Sequence, residues 1–326
     1  MIRKHIKSSR HVSCTLPEHP SCSGFTLLEL CIAFALIAIL VLIALPAIQS
    51  ARESSRSIDC QNRLRNISLA ILNYESAYSV FPSNFIGMKK RGFVNDHSAY
   101  TRILGQLDSA SYRPNFSDNR LALARGEEIN SAPLGLVCPS DPIDSTLRAT
   151  GASYRFNMGV YVRATTSEDE GIPGAFEAGK FLRASEFSRG LSSTVGLSER
   201  PIGIVGIEDF WRNSVNLDPS MYIGLRFNVA KWLSRCQRLS SVGRGFDGTL
   251  GRFWNDGGSL FYNHIEVPGS SAVDCGTGSA STPRRGIISA RSFHPTGINV
   301  SYMDGHVVRI SDSIDRDVWQ DMGSRH

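Results

Sequence analysis

The sequence has little of what marks several common classes of protein. Its 35 Lys and Arg nearly balance 30 Asp and Glu, and a net charge of +5 over 326 residues is too small for a dedicated nucleic-acid binder. Only 7 cysteines are present, and none lies in a Cys-x-x-Cys or typical zinc-finger spacing. We therefore expect no nucleic-acid partner, no disulfide scaffold and no metal site.

Catalytic and nucleotide-binding motifs are also scarce. No Walker loop is present to hold nucleotide phosphates, and no Gly-x-Ser-x-Gly elbow precedes a predicted helix. Asp312, Asp315 and Asp317 do not follow the pattern of an EF-hand calcium loop. The sequence therefore predicts neither an enzyme nor a cofactor.

What the sequence does contain is a long apolar run near its N-terminus. Residues 30–48 carry no charge, and they follow a basic leader, residues 1–24. A helix of this length, at about 1.5 Å per residue, approaches the roughly 30 Å thickness of a bilayer core. A soluble core helix is rarely apolar on every side for so long. Residues 25–48 are therefore predicted to span a membrane.

Three kinds of N-terminal segment contain such a run: a cleaved secretory signal, an ordinary anchor and a prepilin-type leader. The run is longer than that of a secretory signal, and Leu45-Pro46-Ala47 at its end is a poor cleavage site. An ordinary anchor does not explain Glu29, because a carboxylate inside an apolar helix is costly and indicates a function. The prepilin-type leader remains.

The start of the apolar run resembles the class III signal of type IV prepilins and pseudopilins, through Gly24-Phe25-Thr26-Leu27-Leu28-Glu29 after a basic leader. In that family, prepilin peptidase cuts after the glycine and methylates the new N-terminal Phe. The resemblance implies processing between Gly24 and Phe25, a cytoplasmic N-terminus and an assembly role for Glu29. It also implies that Pro46 loosens the helix. Glu29 can neutralise the new α-amine of its own or a neighbouring subunit.

The helix is predicted to continue beyond the membrane over residues 49–80. No Gly or Pro lies between Gln49 and Tyr78, and apolar residues recur there at mostly helical spacing. Phe81-Pro82 is expected to end the helix, because the residue before a proline disfavours the helical conformation. The strip of apolar residues comprises Ile58, Leu64, Ile67, Ile71, Tyr74 and Tyr78, and we expect it to face a core.

Near the C-terminus, His294 is followed by nine residues and then by Asp304-Gly305. This segment resembles the C-terminal H-X9-DG motif of the prepilin-like DUF1559 family. Other stretches of this resemblance are Cys60-Gln61-Asn62-Arg63-Leu64-Arg65-Asn66-Ile67, Val137-Cys138-Pro139-Ser140-Asp141-Pro142, Ser153-Tyr154, and Gly190-Leu191-Ser192-Ser193-Thr194 ahead of Glu199. The biochemical role of that family is not established, so the resemblance implies architecture and location rather than activity.

The H-X9-DG segment, residues 292–311, is predicted to form a β-hairpin. Asp304-Gly305 between two β-rich runs favours a two-residue type I′ turn, and the resulting register would set His294 near Asp315. One interpretation is a His294–Asp315 contact at the sheet end. The alternative is that Asp304 serves as a turn residue and that His294 caps an element or holds a loop in place. Further strands are expected at 153–156, 194–197, 202–207, 298–303 and 307–310, and a helix at 181–188.

The cysteines divide by position. Cys14 and Cys22 leave with the leader, and Cys31 lies in the membrane span. Four cysteines remain in the exported part of the chain, an even number in an oxidising compartment: Cys60, Cys138, Cys236 and Cys275. They are candidates for disulfides, and three full pairings are possible.

Together these patterns predict an α+β, pilin-like protein with a long N-terminal transmembrane helix. Its outer half packs on an antiparallel sheet within a head, residues 81–326, that carries a loop-rich insertion at about 208–290. The predicted function is structural, as a pseudopilin or minor pilin-like subunit of a type II secretion or type IV pilus-like assembly. Its partners would be prepilin peptidase, other pilin-like subunits and the inner membrane. The alternative is an anchored surface domain, binding or enzymatic, that uses the pilin export route.

Overall fold

The computed structural model describes residues 25–84, 89–90, 93–94, 97–107, 131–160, 171–177, 179–216, 229–239, 246–277 and 285–326. The predicted leader, with Gly24, lies outside the described residues. The chain divides into two compact units, Met1–Ala51 and Arg52–His326.

The longest element is helix α1, Leu27–Tyr78, which has 52 residues. It remains helical through Pro46, and it ends where Ser79 takes a positive φ of 58°. The shorter helices are α2 (Ala99–Arg102), α3 (Ser145–Thr150), α4 (Val229–Leu239) and α5 (Arg316–Met322), with 3-10 turns at Ala184–Glu186, Leu191–Ser193 and Gly257–Ser259.

The strands are short. In chain order they are β1 (Lys89–Lys90), β2 (Phe93–Val94), β3 (Tyr154–Asn157), β4 (Gly159–Val160), β5 (Ile172–Pro173), β6 (Val195–Glu199), β7 (Ser214–Asn216), β8 (Phe246–Asp247), β9 (Phe261–Tyr262), β10 (Cys275–Thr277), β11 (Arg285–Ile287), β12 (Gly297–Tyr302) and β13 (Val307–Ser311). The main sheet has five of them, in the order β13-β12-β6-β3-β9, and only the β3–β9 pair is parallel. The α+β class predicted from the sequence is confirmed.

The outer part of α1 contributes one face of the main core. Leu64, Ile67 and Ile71 are buried there, as the apolar strip predicts. Ile58 and Tyr78 are exposed by 58% and 61%, so the two ends of the strip do not face the core. The six-residue gap after Ile58 breaks the helical period, which explains its outward position.

Residues 208–290 do not form a wholly separate insertion. They contain all four strands of a second sheet, in the order β11-β10-β7-β8. They also contain β9, which pairs with β3 in the main sheet through Phe156 and Phe261. Trp254 and Tyr262 are fully buried in the main core. The segment is therefore partly integral to the main sheet.

The C-terminal hairpin is present, but its turn differs from the type I′ prediction. The Tyr302 amide donates to the carbonyl oxygen of His306 at 2.9 Å, which leaves Met303-Asp304-Gly305 as a three-residue loop. Gly305 has a φ of 91°, whereas Asp304 does not adopt a positive φ. This is the pattern of a type I turn followed by a G1 bulge, in which only the glycine occupies the left-handed region.

The longer loop shifts the register by one residue, and the strand pairing ends at Gly297 and Ser311, before it reaches His294. Gly297 pairs with Ser311 at the end of the hairpin, and Asp315 instead caps α5 by accepting from the amide of Asp317 at 2.9 Å. The His294–Asp315 contact is therefore wrong. Two further predictions were also wrong: residues 202–207 are not a strand, and within 181–188 only the Ala184–Glu186 turn is helical.

Candidate functional site

Within the N-terminal unit, α1 exposes its apolar side chains on every side. Its most apolar 18-residue window has a mean hydropathy of 3.0 and is unburied, so this helix is long and apolar enough to cross a membrane. Phe25, just ahead of it, is 87% exposed. Cys31 is a free, exposed cysteine on the same helix. Such a surface is stable only against lipid or other apolar helices.

Glu29 has a local partner at the first turn of α1. Its carboxylate accepts from the Thr26 amide and hydroxyl, both at 2.9 Å, and its own amide donates to the Thr26 hydroxyl at 3.2 Å. This reciprocal arrangement is a capping box, which satisfies backbone donors that the helix cannot pair internally. Glu29 thus caps the helix within its own chain, a role that the sequence reasoning missed although Thr-x-x-Glu is its ordinary signature.

The second site lies in the head, where His294 is held between two carboxylates. Its Nδ1 atom lies 2.5 Å from Oε1 of Glu53 on α1, and its Nε2 atom lies 3.4 Å from Oε1 of Glu199 on β6. His294 and Glu199 are buried, whereas 21% of the Glu53 side chain is exposed. The imidazole therefore connects the helix to the sheet.

The electrostatics of this cluster favour charge on His294. Burial opposes that charge, but hydrogen bonds and the negative charges of Glu199 and Glu53 outweigh it and raise the pKa of His294 above its ordinary value. Burial likewise opposes charge on Glu53, but hydrogen bonds from His294 and Ser140 lower the pKa of its carboxyl overall.

Neighbouring groups fix both carboxylates. The Ser140 hydroxyl donates to Glu53 at 2.9 Å. The Asn299 amide and side chain donate to the two oxygens of Glu199 at 2.9 and 3.0 Å. With both ring nitrogens of His294 engaged and buried, the arrangement suits cross-linking of the fold rather than proton transfer to a substrate.

A disulfide lies against the same imidazole. Cys60 on α1 is joined to Cys138, and the Cys138 sulfur lies 3.4 Å from Nε2 of His294. The Arg63 guanidinium donates to the carbonyl oxygen of Val137 at 2.6 Å and so holds the loop before Cys138 against the helix. Helix, loop and sheet thus meet at one point.

Comparisons with known proteins identify this architecture. The family model described as "Protein of unknown function (DUF1559)" matches residues 49–317, and the "Prokaryotic N-terminal methylation motif" matches residues 20–45. The chain belongs to the DUF1559 family. This DUF1559 protein is also 31% identical over 72 residues to the competence protein ComGC of Halalkalibacterium halodurans, covering 22% of the chain and 71% of that relative. No solved structure matches. The protein is thus prepilin-like, as its sequence predicts.

In this DUF1559 protein, residues from four separated motif stretches converge at the His294 cluster. Cys60, Cys138, Glu199 and His294 each come from a different stretch, and their ligand-type atoms lie within 4.8 Å of one another. Asp304 and Gly305 of the H-X9-DG motif lie instead in the hairpin turn.

Glu53 belongs to this site but was not predicted. It lies outside the sequence stretches that resemble the DUF1559 family. It nevertheless shares one helical face with Ser57, Cys60 and Leu64, at spacings of four, three and four residues. Its helical spacing from Cys60 is the sequence signal that could have placed Glu53 on the same side of the helix as the disulfide.

The remaining cysteines of the head form a second disulfide, between Cys236 and Cys275. Cys275 lies on β10 and Cys236 on α4, both in the small core of the four-stranded sheet. Beside it, the buried Asp274 is paired with Arg200 at 2.5 Å and Arg291 at 3.3 Å. These partners compensate for the cost of burying the carboxylate.

His264 is the other fully buried imidazole among the described residues. It stacks on Trp319 with ring centroids 3.9 Å apart, and its Nδ1 lies 2.7 Å from the Trp319 carbonyl oxygen. The Tyr262 hydroxyl lies 2.9 Å from its Nε2. Burial lowers the pKa of His264 to about 3, outweighing the hydrogen bond to Trp319. His264 is therefore a neutral structural residue.

Proposed function

We propose that this chain is a structural pseudopilin or minor pilin-like subunit of a type II secretion or type IV pilus-like assembly. Prepilin peptidase removes residues 1–24 and methylates Phe25. The apolar part of α1 then holds the processed chain in the inner membrane, with a cytoplasmic N-terminus and an exported head, until it packs beside other pilin-like subunits.

The observation that carries this proposal is the methylation motif at the start of a helix that exposes apolar side chains on every side. Lipid covers such a surface before assembly, and apolar helices of neighbouring subunits cover it afterwards. The competence protein aligns over only 22% of this chain, so it supports a pilin-like class and carries no assignment for the rest of the chain.

Deleting the gene in its native host tests the proposal. Surface filaments or secreted proteins should be lost, and the wild-type chain should restore them. A Gly24→Glu chain should not restore them, because it keeps the head but blocks processing. If filaments and secretion are unaffected, and cross-linking from the membrane helix captures no pilin-like protein, the proposal fails and an anchored surface domain is favoured.

A further inference from the structure

The cluster around His294 contains the donor set of a transition-metal site. The Sγ atoms of Cys60 and Cys138, a carboxylate oxygen of Glu199 and a ring nitrogen of His294 all lie within 4.8 Å of one another, and all four residues are buried. Two sulfurs, one imidazole and one carboxylate are ligands that Zn²⁺ accepts in tetrahedral sites.

Two distances from the His294 nitrogen are close to those of a tetrahedral zinc site. With Zn–S near 2.3 Å and Zn–N and Zn–O near 2.0 Å, the N···S and N···O edges of a tetrahedron are about 3.5 and 3.3 Å. The His294 nitrogen lies 3.4 Å from the Cys138 sulfur and 3.4 Å from the Glu199 oxygen. The other donor pairs lie within 4.8 Å of one another, and the two bonded sulfurs must separate to about 3.8 Å.

We propose that reduction of the Cys60–Cys138 disulfide creates a zinc site with Glu199 and His294. The disulfide accepts two electrons and two protons from a dithiol or phosphine reductant and becomes two thiols. A dithiol is thereby oxidised to a disulfide, and a phosphine to its oxide with oxygen from water. The two thiols and the Nε2–H of His294 then each lose a proton as the two sulfurs and the nitrogen bind Zn²⁺.

Glu53 and Asn299 hydrogen-bond to the proposed ligands and would hold them in position around the metal. Glu53 Oε1, 2.5 Å from Nδ1 of His294, accepts a hydrogen bond from Nδ1–H, so Nε2, which faces Cys138 and Glu199, is the nitrogen that would bind the metal. Asn299 holds Glu199 through its amide and side chain. Carboxylate–histidine–metal arrangements of this type fix the imidazole tautomer and orientation.

The site would give the head two mutually exclusive cross-links at one position. In the oxidised protein a covalent bond joins α1 to the loop at Cys138. In the reduced protein a metal would join the same two residues and add β6 and the start of the hairpin. The second disulfide, Cys236–Cys275, belongs to no such donor group in the described part of the chain, so it serves as a matched control.

The experiment uses the full-length protein in detergent micelles, reduced with a phosphine that leaves no competing thiol, and titrated with zinc alone. Oxidised wild type should bind no stoichiometric zinc, whereas reduced wild type should bind one Zn²⁺ per chain. A Cys236→Ser/Cys275→Ser chain should bind the same amount after reduction. Cys138→Ser and His294→Gln should lose stoichiometric binding, and Glu53→Ala should weaken it about 10- to 100-fold.

Two further measurements, Co²⁺ absorption and thermal unfolding, test the site even if reduction of the disulfide loosens the fold. Co²⁺ should give thiolate charge-transfer absorption in reduced wild type but not in Cys138→Ser, and zinc should raise the melting temperature of the reduced protein. The proposal is overturned if reduced wild type, with its thiols titratable, takes up no zinc. It is also overturned if His294→Gln binds zinc as tightly as wild type, or if the Cys236→Ser/Cys275→Ser chain loses binding.

Discussion

The Nδ1 atom of His294 lies 2.5 Å from Oε1 of Glu53, although the two residues are 241 positions apart in the chain. This contact fastens the segment before the C-terminal hairpin to helix α1. It lies beside the Cys60–Cys138 disulfide, so a covalent and an electrostatic link secure the same part of the helix.

We expect Glu53 and His294 to be energetically coupled. A double-mutant cycle with Glu53→Ala and His294→Ala should give a coupling free energy of about 1 to 3 kcal/mol, because the pair is charge-assisted and half-buried. Urea unfolding of the detergent-solubilised chain measures it. The exposed Asp304–His306 pair, at 2.6 Å, is the control and should couple by less than about 1 kcal/mol. Equal coupling in the two pairs would contradict this prediction.

The hairpin turn should depend on Gly305 rather than on the acidity of Asp304. Gly305→Val should destabilise the head by more than about 1 kcal/mol, because a β-branched residue fits a φ of 91° poorly. An added Cβ would also lie 3.0 Å from Leu72. Asp304→Asn should be nearly silent, because asparagine can also accept from the His306 amide. A stable Gly305→Val beside an unfolded Asp304→Asn would exclude this account.

Processing should generate a chain that begins at Phe25. Mass spectrometry of the protein from a host with active prepilin peptidase should find an N-methylated Phe25 terminus. Gly24→Glu should leave the leader attached, since the peptidase needs a small residue before its cut. Recovery of only Met1-containing wild-type protein from such a host would count against it.

Two variants of Glu29 should distinguish the role of its negative charge from its role in capping helix α1. Glu29→Ala removes both the charge and the capping box with Thr26, whereas Glu29→Gln keeps a capping side chain without the charge. Both variants should insert in the membrane, and both should fail to enter the assembly if pairing with the Phe25 amine is what matters. Fractionation and cross-linking measure the two steps. Assembly by Glu29→Gln but not Glu29→Ala would assign Glu29 to the cap alone.

Acid should destabilise the head partly through His264. Its pKa is about 3 in the folded chain and near 6.5 when unfolded, so between these values the unfolded chain binds a proton that the folded chain does not. Stability should therefore fall as pH drops below about 6.5, by up to about 1.4 kcal/mol per pH unit from this group. Urea unfolding against pH measures the slope.

Substitutions test whether His264 causes this pH dependence of the free energy of unfolding. His264→Gln should flatten the pH dependence between about 6.5 and 3, since no titrating imidazole remains. Tyr262→Phe removes the hydroxyl that faces Nε2 but keeps His264 buried, so it should lower stability while retaining the slope. An unchanged slope in His264→Gln would show that other groups dominate.

The sequence alone determined the features that depend on local order. Residues 30–48 carry no charge and are apolar on every side, and that property requires lipid or other helices whatever the head does. The helical period after Gln49 and the β-rich runs around Asp304 specified α1 and the hairpin, because both are short-range patterns. The motif Gly24-Phe25-Thr26-Leu27-Leu28-Glu29 likewise indicated the export route from adjacent residues.

Only the tertiary structure decided which distant residues meet. His294 was within reach of Asp315 under a two-residue turn, but the strand pairing ends at Gly297 and Ser311, and the imidazole lies instead with Glu53 and Glu199. Four cysteines allowed three pairings, and packing of α1 against the Cys138 loop selected one. Such contacts depend on how buried surfaces fit together, and their sequence separation carries no local signal of it.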